Sequence, residues 1–559
     1  MELKEWIVTL HRKEDLDEFY NDMETPGGNL FIPDRAVGVE KRRLISRNTH
    51  YMLTQDEAEL ISNDPRVMGV ELAEMLDIAT RPSYKITSGS FDKRWQADRN
   101  DINWGLLRQS ESANRTNWGD DGSPVITTDL TVTASGKNVD VVIFDGHFDP
   151  AHPEFAANSD GTGGTRVNQY NWFQNDIGSG TGTYVYDRSG SYTNAADVAD
   201  NNHGCHVAGT VAGNTQGWAR DANIYNISVY SSNPSWGVCG LSSSTYWDYV
   251  RAWHNAKPIN PETGRKNPTV TNHSYGSYFI FDSTPDNTGP VTRVIYRGVD
   301  FNPGRALSTA ELQARGFYAP TTSVEVPYYS TSRFVDIQDA INDGIIVVAA
   351  AGNESWKIVN SSDQDYNNQF YATYFGSNYV WWLNRGTGSG AGYAPVITVG
   401  AVSNNLNEVK ATFSNCGSQV DVYAAGEAVQ SSILTNAAYG GLYAQTDSRN
   451  SSYWLGRYQG TSMASPQVCG ILACLVESNP NMTQAEAHDW VTTNANSGQM
   501  YDSGTDDASD RTSLQGSANL FVRWINQRSE TGIAFPQKNF KPRPTSGRVY
   551  PRPRIRRRG

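Results

Sequence analysis

Cysteine is scarce in this 559-residue chain: five residues, at positions 205, 239, 416, 469 and 474. So few, and an odd number, exclude a disulfide framework and leave free thiols as the expectation. No stretch approaches the roughly 18 consecutive apolar residues that a membrane-spanning helix requires. The opening "MELKEWIVTLHRKED" sets charges of both signs around a short apolar run, which is not the pattern of a secretory leader. Those two absences point to the cytoplasm of the producing cell or a phage particle, without choosing between them. No H-E-x-x-H, phosphate-cradling G-x-x-x-x-G-K-[ST] or G-x-S-x-G elbow occurs. The glycine-rich "GTGSGAG" (386–392) lacks the flanking strand and helix of a nucleotide loop.

Charge is unevenly distributed along the chain. Residues 535–559 carry nine Lys/Arg and no Asp/Glu, so the formal net charge of −13 becomes −22 on the rest of the chain. An acidic body argues against a nucleic-acid-binding surface. The Pro- and Arg-rich end has no apolar periodicity and reads as a disordered tail, suited to nucleic-acid phosphates, to an acidic protein surface, or to solvent alone.

What is present is a folded composition, 38% hydrophobic and 11% aromatic, at a length that suggests three or four units. Residues 1–80 read as a small α+β unit. "EWIVTL" (5–10), "THYMLT" (49–54) and "RVMGVEL" (66–72) are strand-like, with a further strand near 37–45. "EDLDEFYNDM" (14–23) has helical spacing, and Thr54-x-x-Glu57 opens a second helix with a capping box. That order fits a ferredoxin-like unit. Residues 81–137 are polar and irregular and read as a connecting segment that wraps a surface. From 138 to about 530 the apolar runs at 138–145, 344–353, 395–403 and 420–427 read as buried parallel strands. Helical candidates at 205–213, 244–256, 333–343 and 462–478 lie between and after them. The alternation predicts an α/β fold with a doubly wound, mostly parallel sheet. Two Gly/Tyr/Asn-rich stretches, near 277–330 and 355–393, read as surface insertions, and 531–559 is the tail.

Four places carry chemistry. The strand "VDVVIFD" ends in Asp145, where open α/β sheets place ligands and catalytic groups; Asp149 and His152 compete for the same role. In "DNNHGCHVAGTVAGN" (200–214), His203 opens a helix of small residues, and His203, Cys205 and His206 also have the chemistry of metal ligands, though no second cluster at zinc spacing completes a site. "VVAAAGNES" (347–355) ends a strand in Asn353, a turn residue or an oxyanion donor. "YQGTSMASPQVCG" (458–470) puts Ser462 at a helix start, where it is either an N-cap or a nucleophile backed by free N–H groups. Their chain order, Asp, His, Ser, is one of three known triad orders.

These stretches resemble the motifs of subtilisin-like serine proteases (subtilases, peptidase family S8). The matches are "VVIFDGHFDPAHPEF", "HGCHVAGTVAG", "TNHSYGS" (271–277), "AAAGNES", "TVGAVS…ATFSNCGSQVDVYAAGE" and "GTSMASPQVCG", in order over about 330 residues. The resemblance implies a serine endopeptidase with Asp145, His203 and Ser462 as its triad and Asn353 at the oxyanion hole. Ser274, Tyr275 and Gly276 would pair with an extended substrate, and with Ala350, Ala351 and Gly352 would wall its first side-chain pocket. Residues 1–80 would be a prodomain that assists folding and inhibits the enzyme until cut. Partners would be protein or peptide substrates and the prodomain itself, with no membrane. No cofactor is required, no metal ligands are assigned, and structural calcium stays open. A non-catalytic or virion-associated protein on the same scaffold, of a phage type, is the alternative. Three positions depart from the family: Gly146-His147 replaces the usual hydroxyl residue and Gly after the acid, Cys205 stands where Thr or Ser is usual, and Ala425 stands where Pro is common. Cys205 beside the histidine would make the enzyme thiol-sensitive unless it is simply a small buried side chain.

Overall fold

The computed structural model describes residues 3–32, 37, 39–42, 46–73, 81–82, 104–110, 134–168, 170, 198–229, 245–282, 288–317, 323–374, 377–393, 395–405, 407–435, 444–505 and 510–524. The chain divides into two compact units, 1–524 and 525–559, and the second lies outside the described residues, as does Cys239. Length overcounts the units because the segments before residue 524 share hydrophobic cores.

At the N-terminus, β1 (Lys4–Leu10), α1 (Leu16–Glu24), β2 (Val39–Arg42), β3 (Asn48–Leu53), α2 (Gln55–Ile61) and β4 (Val67–Leu72) form an antiparallel sheet of order β2-β3-β1-β4 under two helices. Val8, Leu10, Phe19, Tyr51, Leu53, Ala58 and Ile61 fill the space between. The Thr54–Glu57 capping box is formed in both directions.

The polar segment beyond β4 contributes two elements: β5 (Arg81–Pro82) and α3 (Trp104–Gln109). α3 does not wrap a surface. Trp104 and Arg108 are fully buried; Trp104 Nε1 donates to the Glu427 carbonyl, and Gln109 Nε2 donates to Gln467 Oε1 at 3.1 Å. Arg108 forks onto Glu408 with both partners buried. Three apolar side chains at most could be offered by so short a helix, so two polar anchors complete its seat.

The large sheet follows: β6 (Asp140–Asp145), α4 (Val198–Ala212), β7 (Asn223–Ser228), α5 (Thr245–Ala256), β8 (Thr269–His273) and β9 (Tyr275–Gly276). Then come β10 (Tyr278–Asp282), β11 (Thr288–Tyr296), β12 (Val299–Phe301), α6 (Thr309–Gln313), β13 (Ser323–Pro327), α7 (Thr331–Asn342) and β14 (Ile346–Ala350). The chain continues through β15 (Gln369–Tyr374), β16 (Ser377–Trp382), β17 (Ile397–Val402), β18 (Val422–Ala425), β19 (Val429–Ile433), β20 (Ala444–Asp447) and β21 (Asn450–Tyr458). It closes with α8 (Thr461–Ser478), α9 (Gln484–Asn494), β22 (Asn496–Ser497) and β23 (Leu520–Phe521). The central sheet has the order β22-β23-β18-β17-β14-β8-β6-β7, with every pairing parallel except β22 on β23. Its strands read as unbroken apolar runs because both faces are covered. Val141 and Ile143 face the core shared with α3, α4, α8 and α9, while Val142 and Phe144 face the core shared with α5 and α7. The α/β, doubly wound architecture is the one expected from the alternating pattern.

The two insertions join each other. β11 and β12 from the first and β15 and β16 from the second make one antiparallel sheet of order β12-β11-β15-β16. Arg297 from the first forks onto Asp365 of the second at 2.6 and 3.0 Å, and Lys357 shares that carboxylate at 2.9 Å. Phe370, Trp381, Val294 and Phe317 pack beneath, together with Ile7 and Leu72 of the N-terminal sheet. That sheet also docks on α7. Glu71 accepts from the Thr331 and Ser332 N–H groups at the helix start, and Asn48 and Ser46 donate to Asp336.

The buried Arg108–Glu408 pair carries a stability prediction. Arg108→Ala leaves a buried carboxylate unpaired and should cost about 3–5 kcal/mol. Arg108→Met with Glu408→Leu should recover most of that loss in urea unfolding.

Candidate active site

The site forms where β6, β8, β9 and β14 end. Asp145 closes β6, fully buried, and its Oδ1 accepts from the Gly146 N–H and from His203 Nδ1, both at 2.7 Å. His203 sits within α4, whose close approach is set by Gly204: a Cβ there would fall 2.3 Å from the Gly146 carbonyl oxygen. With Nδ1 donating to the carboxylate, the neutral imidazole has Nε2 as its basic atom. Nothing among the described residues replaces the missing hydroxyl after the acid: Asp145 Oδ2 is buried with no hydrogen-bond partner there. The competitors are occupied elsewhere. Asp149 accepts from the Tyr453 hydroxyl, and His152 caps a single 3-10 turn and contacts the Trp454 carbonyl. His147 is held on Asn226 Oδ1 at 3.3 Å.

Nor do His203, Cys205 and His206 converge on a metal. His206 Nε2 donates to the Val429 carbonyl, its ring stacks on Tyr458, and burial pushes its pKa down to about 3. Among the described residues no three His, Cys, Asp or Glu side chains gather to hold a metal ion, so no residues are assigned to calcium. Cys205 is fully buried, and burial pushes its thiol pKa well up.

Ser462 is not the N-cap of its helix. Gly460 holds that position at φ 149°, and Ser462 is the second helical residue. Pro466 is the sixth helical residue rather than part of the first turn. It has no N–H for the carbonyl four residues back, which is that of Ser462. The freed carbonyl accepts instead from Ser274 Oγ at 3.0 Å, and Ser462 Oγ donates to the Ser274 carbonyl at 3.1 Å. Asn272 Nδ2 donates to Ser274 Oγ at 2.9 Å, and Ser465 Oγ donates to Asn272 Oδ1 at 2.7 Å. Helix start and strand end are thereby tied in register.

Asn353 follows β14 across Gly352, whose φ of +104° suits glycine. Asn353 Oδ1 accepts from the Thr461 N–H at 2.8 Å and from Thr461 Oγ1 at 2.9 Å, which fixes the amide. Its Nδ2 is buried with no acceptor, a donor held ready beside the start of α8. The parallel pairing of β14 with β8 ends at Ala349 on His273, immediately before Ala350, Ala351 and Gly352 in one segment and Ser274, Tyr275 and Gly276 in the other. Tyr275 offers the site only its backbone. Its side chain is buried, with its hydroxyl 3.2 Å from His273 Nδ1. Asn272, Thr461 and Ser465 were not among the candidate site residues, though each lies inside a quoted motif.

One further element lies at the site. β5 pairs antiparallel with β9, Arg81 opposite Gly276 and Pro82 opposite Tyr275.

A strand-end acid bonded to a histidine, a helix-start serine and an aimed amide on a doubly wound sheet define the class of protein: an α/β scaffold with the Asp…His…Ser order. The chain belongs to the Subtilase family, whose sequence profile matches residues 136–518. It is 22% identical over 453 residues to alkaline serine exoprotease A of Vibrio alginolyticus, covering 80% of this chain and 55% of that protein. It is 24% identical over 355 residues to subtilisin amylosacchariticus of Bacillus subtilis subsp. amylosacchariticus, covering 64% of this chain and 60% of that one. The chain thus spans little more than half the length of these curated relatives. Among solved structures, a cold adapted subtilisin-like serine proteinase aligns with a TM-score of 0.41 at 19% identity, covering 76% of this chain and 98% of that one.

The burial of Cys205 gives a direct test of thiol sensitivity. Iodoacetamide should leave Cys205 unmodified in the folded protein and alkylate it after denaturation, as read by peptide mass spectrometry.

Proposed function

We propose that this protein is a serine endopeptidase made as a zymogen. The observation that carries this reading is the buried 2.7 Å bond from His203 Nδ1 to Asp145 Oδ1, on a scaffold where Thr461, the neighbour of Ser462, holds the Asn353 amide. Ser462 Oγ turns from the Ser274 carbonyl toward His203 Nε2, gives up its proton there and attacks the peptide carbonyl carbon. Asp145 orients the ring and stabilises the imidazolium. The oxyanion is received by Asn353 Nδ2 and the Ser462 N–H. His203 then protonates the leaving amine, and water releases the acyl group by the reverse path. The substrate is an extended protein or peptide segment added as a strand to β9.

Residues 1–80 act as the prodomain and inhibitor. Three observations support this: the Glu71 contact with the start of α7, Ile7 and Leu72 in the core beneath the insertion sheet, and β5 lying along the substrate strand. The tail at 531–559 would meet nucleic-acid phosphates or an acidic protein surface through its nine cations.

A fluorophosphonate probe should label the processed wild-type protein and not Ser462→Ala; absence of label on the wild type once residues 1–80 are removed would sink the reading in favour of a non-catalytic scaffold. Asn353→Ala should lower kcat by about 10²–10³ with little change in KM, the size of effect for loss of one oxyanion donor, for which a subtilisin is itself the reference case.

A further inference from the structure

We propose that Asn415 is a positioning residue for the Asn353 amide: it fixes the turn that carries the oxyanion donor from both sides and leaves that donor's nitrogen free. The inference rests on the peptidase reading above and adds a residue to it. Asn415 lies in "ATFSNCG" (411–417), between β17 and β18, a stretch that takes no part in the proton transfers.

The turn after β14 needs holding. It passes through two left-handed residues, Gly352 at φ +104° and Ser355 at φ +62°, with Asn353 and Glu354 between them. A residue with a Cβ persists in that region only where its surroundings over-determine it. Part of the hold comes from the start of the 411–417 stretch. The Ser355 N–H donates to the Phe413 carbonyl at 2.8 Å, and Ser355 Oγ donates to the Thr412 carbonyl at 2.5 Å.

Asn415 supplies the rest, and it is fully buried. Its N–H donates to the Gly352 carbonyl at 3.0 Å. Its Nδ2 donates to the Ala351 carbonyl at 2.8 Å and to Glu354 Oε2 at 3.2 Å. Its Oδ1 accepts from the Glu354 N–H at 3.1 Å and from the Trp356 N–H at 2.8 Å. The chain is thereby bonded on both sides of Asn353 by one residue. The task needs two donors and a twice-accepting oxygen in one plane, a set that only asparagine has at this side-chain length. Glu354 Oε2 passes the constraint on, accepting from the Asn353 N–H at 2.8 Å. The fit is close: a Cβ on Gly352 would fall 2.3 Å from Asn415 Nδ2. Asn415 is itself pinned, since Ser414 Oγ donates to its carbonyl at 2.9 Å and the buried Lys410 ammonium donates to the Ser414 carbonyl at 3.0 Å.

The two side-chain amides contrast. Both hydrogens and both lone pairs of the Asn415 amide are used within the protein. Asn353 has its oxygen taken by Thr461 and its buried nitrogen without an acceptor. A clamp has no capacity left for a ligand, whereas a donor for developing charge must keep some. Asn415 therefore acts through Asn353 and not on the substrate.

The test is a double-mutant cycle on the processed protein, with kcat and KM read on a peptide substrate and active sites counted by fluorophosphonate labelling. Asn415→Asp keeps the shape and the acceptor and removes both side-chain donors. It should lower kcat by about 10–100-fold, the range for a catalytic group moved by up to about 1 Å. KM should stay within about twofold, as for an interaction made only in the transition state. In an Asn353→Ala background the same change should lower kcat by less than about threefold, because the donor it positions is already gone. Asn415→Ala goes through the same cycle, so that a fold disturbed by the new carboxylate does not decide the result. Effects that multiply in the double variants overturn the proposal, as do a raised KM with kcat unchanged, single variants as active as the wild type, or loss of folding in both. Each of those outcomes leaves the peptidase reading standing, because the wild type still labels and turns over. A processed wild type that neither labels at Ser462 nor turns over sinks both.

Discussion

The site depends on one reciprocal contact, in which Ser274 and Ser462 each donate a hydroxyl to the other's carbonyl. It exists because Pro466 cannot donate to the carbonyl four residues before it, so Ser462 has a lone carbonyl at the point where β9 begins. A buried carbonyl without a partner costs about 1–3 kcal/mol, and Ser274 Oγ removes that cost while fixing how far α8 lies from β9. Asn272 and Ser465 brace the same point from either side. Thr461 then locks the Asn353 amide, so strand end, helix start and amide form one connected network.

The acid–base half is placed by a different constraint, absence of volume. Gly204 lets α4 touch the turn after Asp145, where a methyl group would collide with the Gly146 carbonyl. The bond between His203 and Asp145 is therefore set by backbone proximity. The residue change after the acid leaves it intact because Gly146 contributes a main-chain N–H, which any residue there except proline would supply.

Much of this was legible because burial on both faces writes itself into composition. The runs around 139–145 and 345–351 are continuous apolar strands, and the helices between them have their own periods. α3 was not legible: six residues between polar stretches carry no period, and its place in the core rests on Trp104 and on the distant partner Glu408. The joint sheet of the two insertions was hidden for a related reason. β11 and β15 pair across an interval that contains α7 and β14, and nothing local announces it. Small polar residues hid their roles as well, because Thr461 and Asn272 act by the direction of a hydroxyl or an amide, which identity alone does not reveal.

The N-terminal unit is held mainly away from the chemistry. A two-residue ladder such as β5 on β9 supplies only a few hydrogen bonds, each worth about 1 kcal/mol net. Ile7 and Leu72, buried against the insertion sheet, contribute about 1.5–3 kcal/mol apiece as upper estimates. Glu71 at the start of α7 adds charge-assisted bonds where the helix dipole favours a carboxylate. The contacts of the docked sheet therefore outweigh those of β5 on β9. The insertions thus help to hold the N-terminal sheet in place.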